Sequence, residues 1–230
     1  MKINILEFAE GARNARGVTV IIDVFRAFSV GCYAFDCGAR MLIATASVSE
    51  ALRLHKTYKN SVLIGERDER KIDGFDFGNS PTEIMTADIK EKTVIHTTTA
   101  GTNGLVNANS SPVVLTGSLV NSAAVTRYIR QLNPDEVSLV AMGYRGELSA
   151  DEDILCAEII ADRLKGGNTN FTGRISALKE TSGKRFFRAE NLSFSPPSDF
   201  FLCTMTDRFD FVLRAVRRHD GNMDLIRCDI

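Results

Sequence analysis

A chain of 230 residues that is 44% hydrophobic and 25% charged, with 17 Gly and 5 Pro, has a globular composition and excludes collagen-like, low-complexity and disordered readings. Its 28 basic and 29 acidic residues leave a formal charge of −1, so no overall basic excess points to nucleic acid. The charge is unevenly spread: residues 163–230 hold 12 basic and 8 acidic side chains, and 19 of the 28 basic residues are arginine, whose fixed fork suits phosphate and sulfonate groups.

The N-terminus, MKINILEFAEGARNARG, lacks the apolar run and cleavage site of a secretory leader. Short, β-branched apolar runs then recur at 18–23, 40–45, 61–65, 93–97, 112–116 and 136–142, as in strands covered on both faces. Helical patterns lie between them at 48–58, where Ser47 or Ser49 can cap, at 119–132, and at 151–165 behind an acidic start. This alternation predicts a three-layer α/β/α fold with a largely parallel or mixed sheet. Beyond about residue 170 the pattern changes. Ser195-Pro196-Pro197-Ser198 interrupts the chain, and Asp220-Gly221 sets a turn signal inside 209–230, which predicts a C-terminal antiparallel hairpin subdomain. The expected organisation is one domain over 1–230, with an α/β core at 1–165 and a mixed α+β portion at 166–230. Five cysteines without a CxxC motif read as reduced thiols. No stretch approaches the ~18 apolar residues of a membrane span, and a cytoplasmic protein is expected.

In open α/β sheets ligands bind beyond the carboxyl ends of the strands. Those positions are polar and glycine-rich here: Asp23 to Arg26, Gly65 to Asp68, the loop through Asn79, Thr97 to Gly104, Gly117 to Asn121, and Gly143 to Asp153. With parallel strands, all would meet along one edge. The loop 97–104 and the turn at Gly117-Ser118 read as anion cradles, or equally as Ser/Thr caps of the helices that follow. Arg26, Arg67 and Arg145 supply full positive charge. Asp23 ends an apolar strand, where a carboxylate needs a partner or a metal. Asp151, Glu152 and Asp153 start a helix, where they either complement its dipole or join Asp23 at a cation. The sequence contains no P-loop, no GxGxxG and no second aspartate two residues after Asp23. Its three histidines are scattered, which argues against a histidine-rich zinc site.

The ordered run VIIDVFRAFS, GER with GFDFGNSP, TTTAGTNG, TGSLVNSAAV and SADEDILCAE resembles the ComB family of magnesium-dependent 2-phosphosulfolactate phosphatases, associated with coenzyme M biosynthesis. The similarity extends over about residues 18–165, and DRFDFVLRA in the tail is also similar. Ala100 departs from the TTTNGT form of the third motif, a difference that bears on substrate identity rather than on fold.

The resemblance implies hydrolysis of 2-phosphosulfolactate to 3-sulfolactate and phosphate with Mg2+ as cofactor. The alternatives are another small phosphorylated hydroxy acid or a sugar phosphate as substrate, or a non-catalytic anion-binding protein. The expected catalytic residues are Asp23, Glu66 as general base, and Arg26. Expected substrate contacts are Arg67, Asn79, Thr98, Thr99, Gly101, Thr102, Ser118, Asn121 and Arg145. Asp23 with Glu152 or Asp153 would hold the metal. The expected partner is a small phosphate or sulfonate anion, with no nucleic acid and no membrane, and a homodimer is the base-rate assembly.

Overall fold

The computed structural model describes residues 1–230. Its elements in chain order are β1 (Lys2–Glu7), α1 (Phe8–Asn14), β2 (Val18–Ile22), α2 (Ala27–Asp36), β3 (Met41–Ala44), α3 (Val48–Thr57), β4 (Ser61–Arg67), β5 (Arg70–Lys71), α4 (Pro81–Ile84), β6 (Thr93–Thr97), α5 (Gly101–Asn107), β7 (Val113–Gly117), α6 (Ser122–Leu132), β8 (Glu136–Ala141), α7 (Asp151–Leu164), α8 (Thr172–Ala177), α9 (Pro197–Cys203), β9 (Phe211–Arg217) and β10 (Met223–Asp229). Short 3-10 turns fill much of the stretch from Leu178 to Asn191. No helix is long and apolar enough to cross a membrane.

The six expected inner strands form, because each is apolar at successive positions and is covered by helices on both faces. In β2, Val18, Val20 and Ile22 face one core while Ile21 faces the other, the period-2 alternation of a strand. The core of Val18, Val20 and Ile22 takes α6 and α7; the core of Ile21 takes α1, α2 and α5. Ser47 caps α3 by accepting the Glu50 N–H. Helix α2 has no amphipathic signature to read: nine of its ten residues are buried, so it has no polar face.

The sheet has ten strands in the order β1-β8-β2-β7-β9-β10-β3-β6-β4-β5. The expected hairpin forms, with β9 antiparallel to β10, and it occupies the middle of the sheet, where β9 pairs with β7 and β10 with β3. β1, β8, β2 and β7 are mutually parallel, as are β3, β6 and β4. The three antiparallel steps between these groups reverse the sense of the second, which corrects the expectation that all the strand ends line one edge. They still converge, since Gly101 after β6 lies against Asp23 after β2. Sheet twist accumulates at roughly 20–25° per strand pair, so over the steps from β2 to β6 the two groups turn far out of a common plane.

The hairpin therefore carries the continuity of the core. Leu213 on β9 is fully buried, and α2 approaches it so closely at Gly31 that an added Cβ would lie 3.2 Å from the Leu213 side chain. Leu213→Ala is expected to lower unfolding stability by about 2–5 kcal/mol in urea titrations, while exposed Arg214→Ala changes it by no more than about 0.5 kcal/mol.

Candidate active site

Asp23 follows a strand that is buried at every position, and its own residue is only 6% exposed. Its Oδ1 accepts the Ala27 N–H at 3.0 Å, which fixes the start of α2. Its other oxygen passes close under the next loop: a Cβ at Gly101 would sit 2.8 Å from Oδ2 and 2.9 Å from the Ala27 Cβ. Glycine at 101 is thus a packing requirement of this carboxylate. Asp153 braces the same corner, its Oδ1 accepting from the Val24 N–H at 2.8 Å and its Oδ2 from the Gly143 N–H at 2.9 Å.

Glu66, next to last in β4, is also buried. Its Oε1 accepts the Thr99 N–H at 2.6 Å, and its Oε2 accepts the Glu69 N–H at 2.9 Å and the Thr99 hydroxyl at 3.2 Å. Arg26, 4% exposed, is held by Asp199 of α9, with Nη1 2.6 Å from Oδ2, and by the carbonyls of Phe194 and Glu69. Asp199 in turn accepts from Ser80 and from the backbone and hydroxyl of Thr82. The peptide bond between Phe25 and Arg26 is cis.

Asp23, Arg26, Glu66, Asn79, Thr99 and Arg145 come together in one cleft, completed by Phe25, Glu69, Ala100, Gly143, Tyr144 and Arg185. The remaining expected contacts are elsewhere. Arg67 spends its guanidinium on the Glu66 and Ala46 carbonyls and the Thr97 hydroxyl. Thr98 and Thr102 cap each other, each hydroxyl accepting the other's N–H. Ser118 and Asn121 form a capping box that is fully buried beneath α6. For these four the helix-cap reading holds. Gly101 shapes the site without lining it.

Arg185, Glu69, Tyr144 and Asp199 were not among the expected residues. Arg185 lies in a 3-10 turn far from any strand end, and only its arginine-rich surroundings hinted at it. Its Nη2 donates to the Phe25 carbonyl at 3.0 Å, and its Nε lies 2.9 Å from Glu69 Oε1 without hydrogen-bond alignment. His96 is likewise a positioning residue: buried on β6, its Nε2 donates to Asn79 Oδ1 at 3.0 Å and fixes the amide at the cleft.

The acids of this corner repel one another. Burial pushes the Asp23 carboxyl up to about 7; Glu66 and Glu152 add to the shift, while the Ala27 N–H and Arg185 oppose it. Burial also raises Glu152, against the pull of Arg185, and lifts Asp153 well above the carboxylate range with the charges of Glu152 and Asp23 behind it. Glu152 is 2% exposed, and its Oε2 has no hydrogen-bond partner. It lines an adjoining cleft that shares Glu69, Tyr144 and Arg185 with the first. Asp23 and Glu152 are thus the carboxylates with an oxygen left for a cation. No three His, Cys, Asp or Glu side chains gather into a ready-made metal cage.

The family model for 2-phosphosulpholactate phosphatase matches residues 5–216. The chain belongs to this family. A probable 2-phosphosulfolactate phosphatase of Caldanaerobacter subterraneus subsp. tengcongensis is 37% identical over 212 residues, covering 84% of this chain and 85% of the relative. Proteins described by the same words from Clostridium beijerinckii and Bacillus subtilis are 37% and 29% identical, covering 74% and 91% of this chain and 73% and 90% of the relatives. Family membership makes the cleft around Asp23 the candidate phosphatase centre, since it gathers carboxylates, arginines and polar loop ends in one small space.

His96 gives a pH prediction. Burial, with a further push from Arg67, lowers its pKa to about 4 from the ordinary 6.5, so the folded protein keeps it neutral while the unfolded chain protonates it. Its contribution to stability is present above pH 6.5 and is lost as pH falls from 6.5 to about 4. Over that window wild type is expected to lose on the order of 3 kcal/mol more than His96→Gln in denaturant titrations.

Proposed function

We propose that the chain hydrolyses 2-phosphosulfolactate to 3-sulfolactate and phosphate, with Mg2+ as cofactor. The observation that carries this reading is the pairing, in one small polar cleft, of Asp23 and Glu66 with Arg26, Arg145 and Arg185. A substrate bearing phosphate, sulfonate and carboxylate groups matches such a set of cations, and the family to which the chain belongs is named for such a substrate.

The residues fit a hard divalent cation. Glu152 Oε2 is buried without a donor, and the space over Asp23 Oδ2 is kept open by a glycine whose Cβ would fill it. Mg2+ takes one or two carboxylates and completes its shell with water and phosphate oxygens, so a three-carboxylate cage is not required. We assign Asp23 and Glu152 as its holders, with Asp153 fixing the Val24 and Gly143 amides that shape the corner. When bound, the ion would neutralise charge on the transferring phosphoryl group.

The protein's own groups supply the rest. Arg26, anchored by Asp199, presents a fixed positive charge to the phosphoryl oxygens, so little reorganisation is needed as charge develops. Asn79, held by His96, offers a polar contact beside it. Glu66 is assigned as general base: it takes a proton from the water whose oxygen attacks phosphorus, as the ester oxygen departs with the bonding pair and takes up a proton from solvent, to which Glu66 later returns its own. Thr99 and the Glu69 amide keep that carboxylate oriented.

The test is phosphate release from 2-phosphosulfolactate, with and without Mg2+, beside phospholactate, 3-phosphoglycerate and a sugar phosphate. Metal-dependent turnover favouring the sulfonated ester is expected, with Asp23→Asn lowering kcat by about 10³-fold or more and Gly101→Ala by about tenfold through displacement of Asp23. Turnover of the other esters alone would discard the substrate. No release from folded protein would favour an anion-binding role, and a trapped acyl-phosphate on Asp23 would replace water as the nucleophile.

A further inference from the structure

We propose that Arg185 and Arg145 form a second anion subsite in the cleft, for a carboxylate or sulfonate group of the ligand, and that Glu69 and Asp68 occupy it as resident counter-ions until the ligand displaces them. The ligand's identity as a multiply charged phosphate ester rests on the reaction proposed above.

The β4–β5 pairing sets Glu66 opposite Lys71 and Arg67 opposite Arg70, leaving Asp68 and Glu69 as a two-residue hairpin loop. Loops of this kind need left-handed backbone and favour Asn-Gly. Here both positions are left-handed, φ 52° and 67°, yet both carry acidic side chains. The turn itself does not call for acids. Their side chains instead reach two arginines of the cleft: Asp68 Oδ1 is 3.1 Å from Arg145 Nη2, and Glu69 Oε1 is 2.9 Å from Arg185 Nε. Adjacent carboxylates on one turn thus neutralise two cations that no other carboxylate pairs with. Arg145 is also left-handed, φ 58°, so both sides of the outer pair sit in backbone that non-glycine residues seldom adopt.

The two pairs differ in strength. The side chains of Arg145 and Asp68 are 49% and 71% exposed, so that pair is weak and easily exchanged. Those of Arg185 and Glu69 are 15% and 18% exposed, and there the counter-ion matters more. Arg185 keeps its place without Glu69, because the Phe25 carbonyl accepts from Nη2 and the rings of Phe25, Tyr144 and Phe186 surround the guanidinium at 5.1–5.8 Å. The Glu69 backbone is pinned independently, its N–H donating to Glu66 and its carbonyl accepting from Arg26 at 3.2 Å. The carboxylate can therefore swing away by side-chain rotation while the turn and the arginine stay fixed. An incoming anion then replaces one charge pair with another in a preorganised site, and a neutral group gains nothing there.

The test is calorimetric titration of the full chain with inorganic sulfate. Glu69→Gln is expected to bind sulfate about fivefold to tenfold more tightly than wild type, and Asp68→Asn about twofold more tightly. The Glu69→Gln gain should vanish when Arg185→Gln is added, since the coupling belongs to that pair. Unchanged or weaker binding by Glu69→Gln would make Glu69 a structural brace and overturn the proposal, as would a gain that survives loss of Arg185. If Glu69→Gln fails to fold, the Asp68→Asn and Arg145→Gln variants decide the point by the same comparison. Tighter sulfate binding by the variant with no ester hydrolysed by wild type would keep the subsite and remove the proposed reaction; hydrolysis with unaltered sulfate binding would do the reverse.

Discussion

A carboxylate at the end of a strand buried on both faces is the constraint from which the rest of this site follows. Asp23 cannot shed its charge into water, and burial in a low dielectric disfavours the ionised form by several kcal/mol unless neighbours compensate. The fold answers with the Ala27 amide, a glycine at 101 that makes room for the second oxygen, and an arginine drawn in from the C-terminal portion. It then sharpens the problem by placing the charges of Glu66 and Glu152 where they raise Asp23 further, and those of Glu152 and Asp23 where they raise Asp153. A protein selected for stability alone would not gather acids in this way, and the arrangement is coherent once a cation and a phosphate share the corner.

The topology explains how distant segments serve one cleft. The C-terminal hairpin lies between two oppositely running parallel groups and joins their cores. The chain leading to it crosses the cleft on the way. That stretch delivers Arg185 to the Phe25 carbonyl and Asp199 to Arg26, so one of the three cations of the site and the anchor of a second come from outside the α/β core. Arg185 and Arg26 are thereby set by packing, through Phe186, Phe200 and the surrounding rings, while Arg145 is set by the geometry of its loop.

The six inner strands were legible because double burial leaves a simple apolar signature, which the half-exposed β1 lacks, and Asp23, Glu66 and Thr99 were legible because polar residues at the ends of such runs stand out. Thr98, Thr102, Ser118 and Asn121 show the limit of that logic. Short hydroxyl and amide side chains beside glycine suit an anion cradle and a helix cap equally well, and only the reciprocal hydrogen bonds of the folded chain decide between them. Arg185 and Asp199 gave no such signal, since their part in the site depends on long-range contacts across roughly 120–170 positions with no local periodicity. Helix α2 was hidden for the opposite reason: buried all round, it carries no contrast between faces.

The central claim is that the acids around Asp23 await a divalent cation. The most direct measurement is the melting temperature with millimolar MgCl2 against NaCl of equal ionic strength, on wild type, Asp23→Asn and Glu152→Gln. Selective binding to the folded state should raise the wild-type melting temperature by about 5 °C, with the increment lost in both variants. Equal effects of the two salts, or an increment that persists without Asp23 and Glu152, would contradict the account.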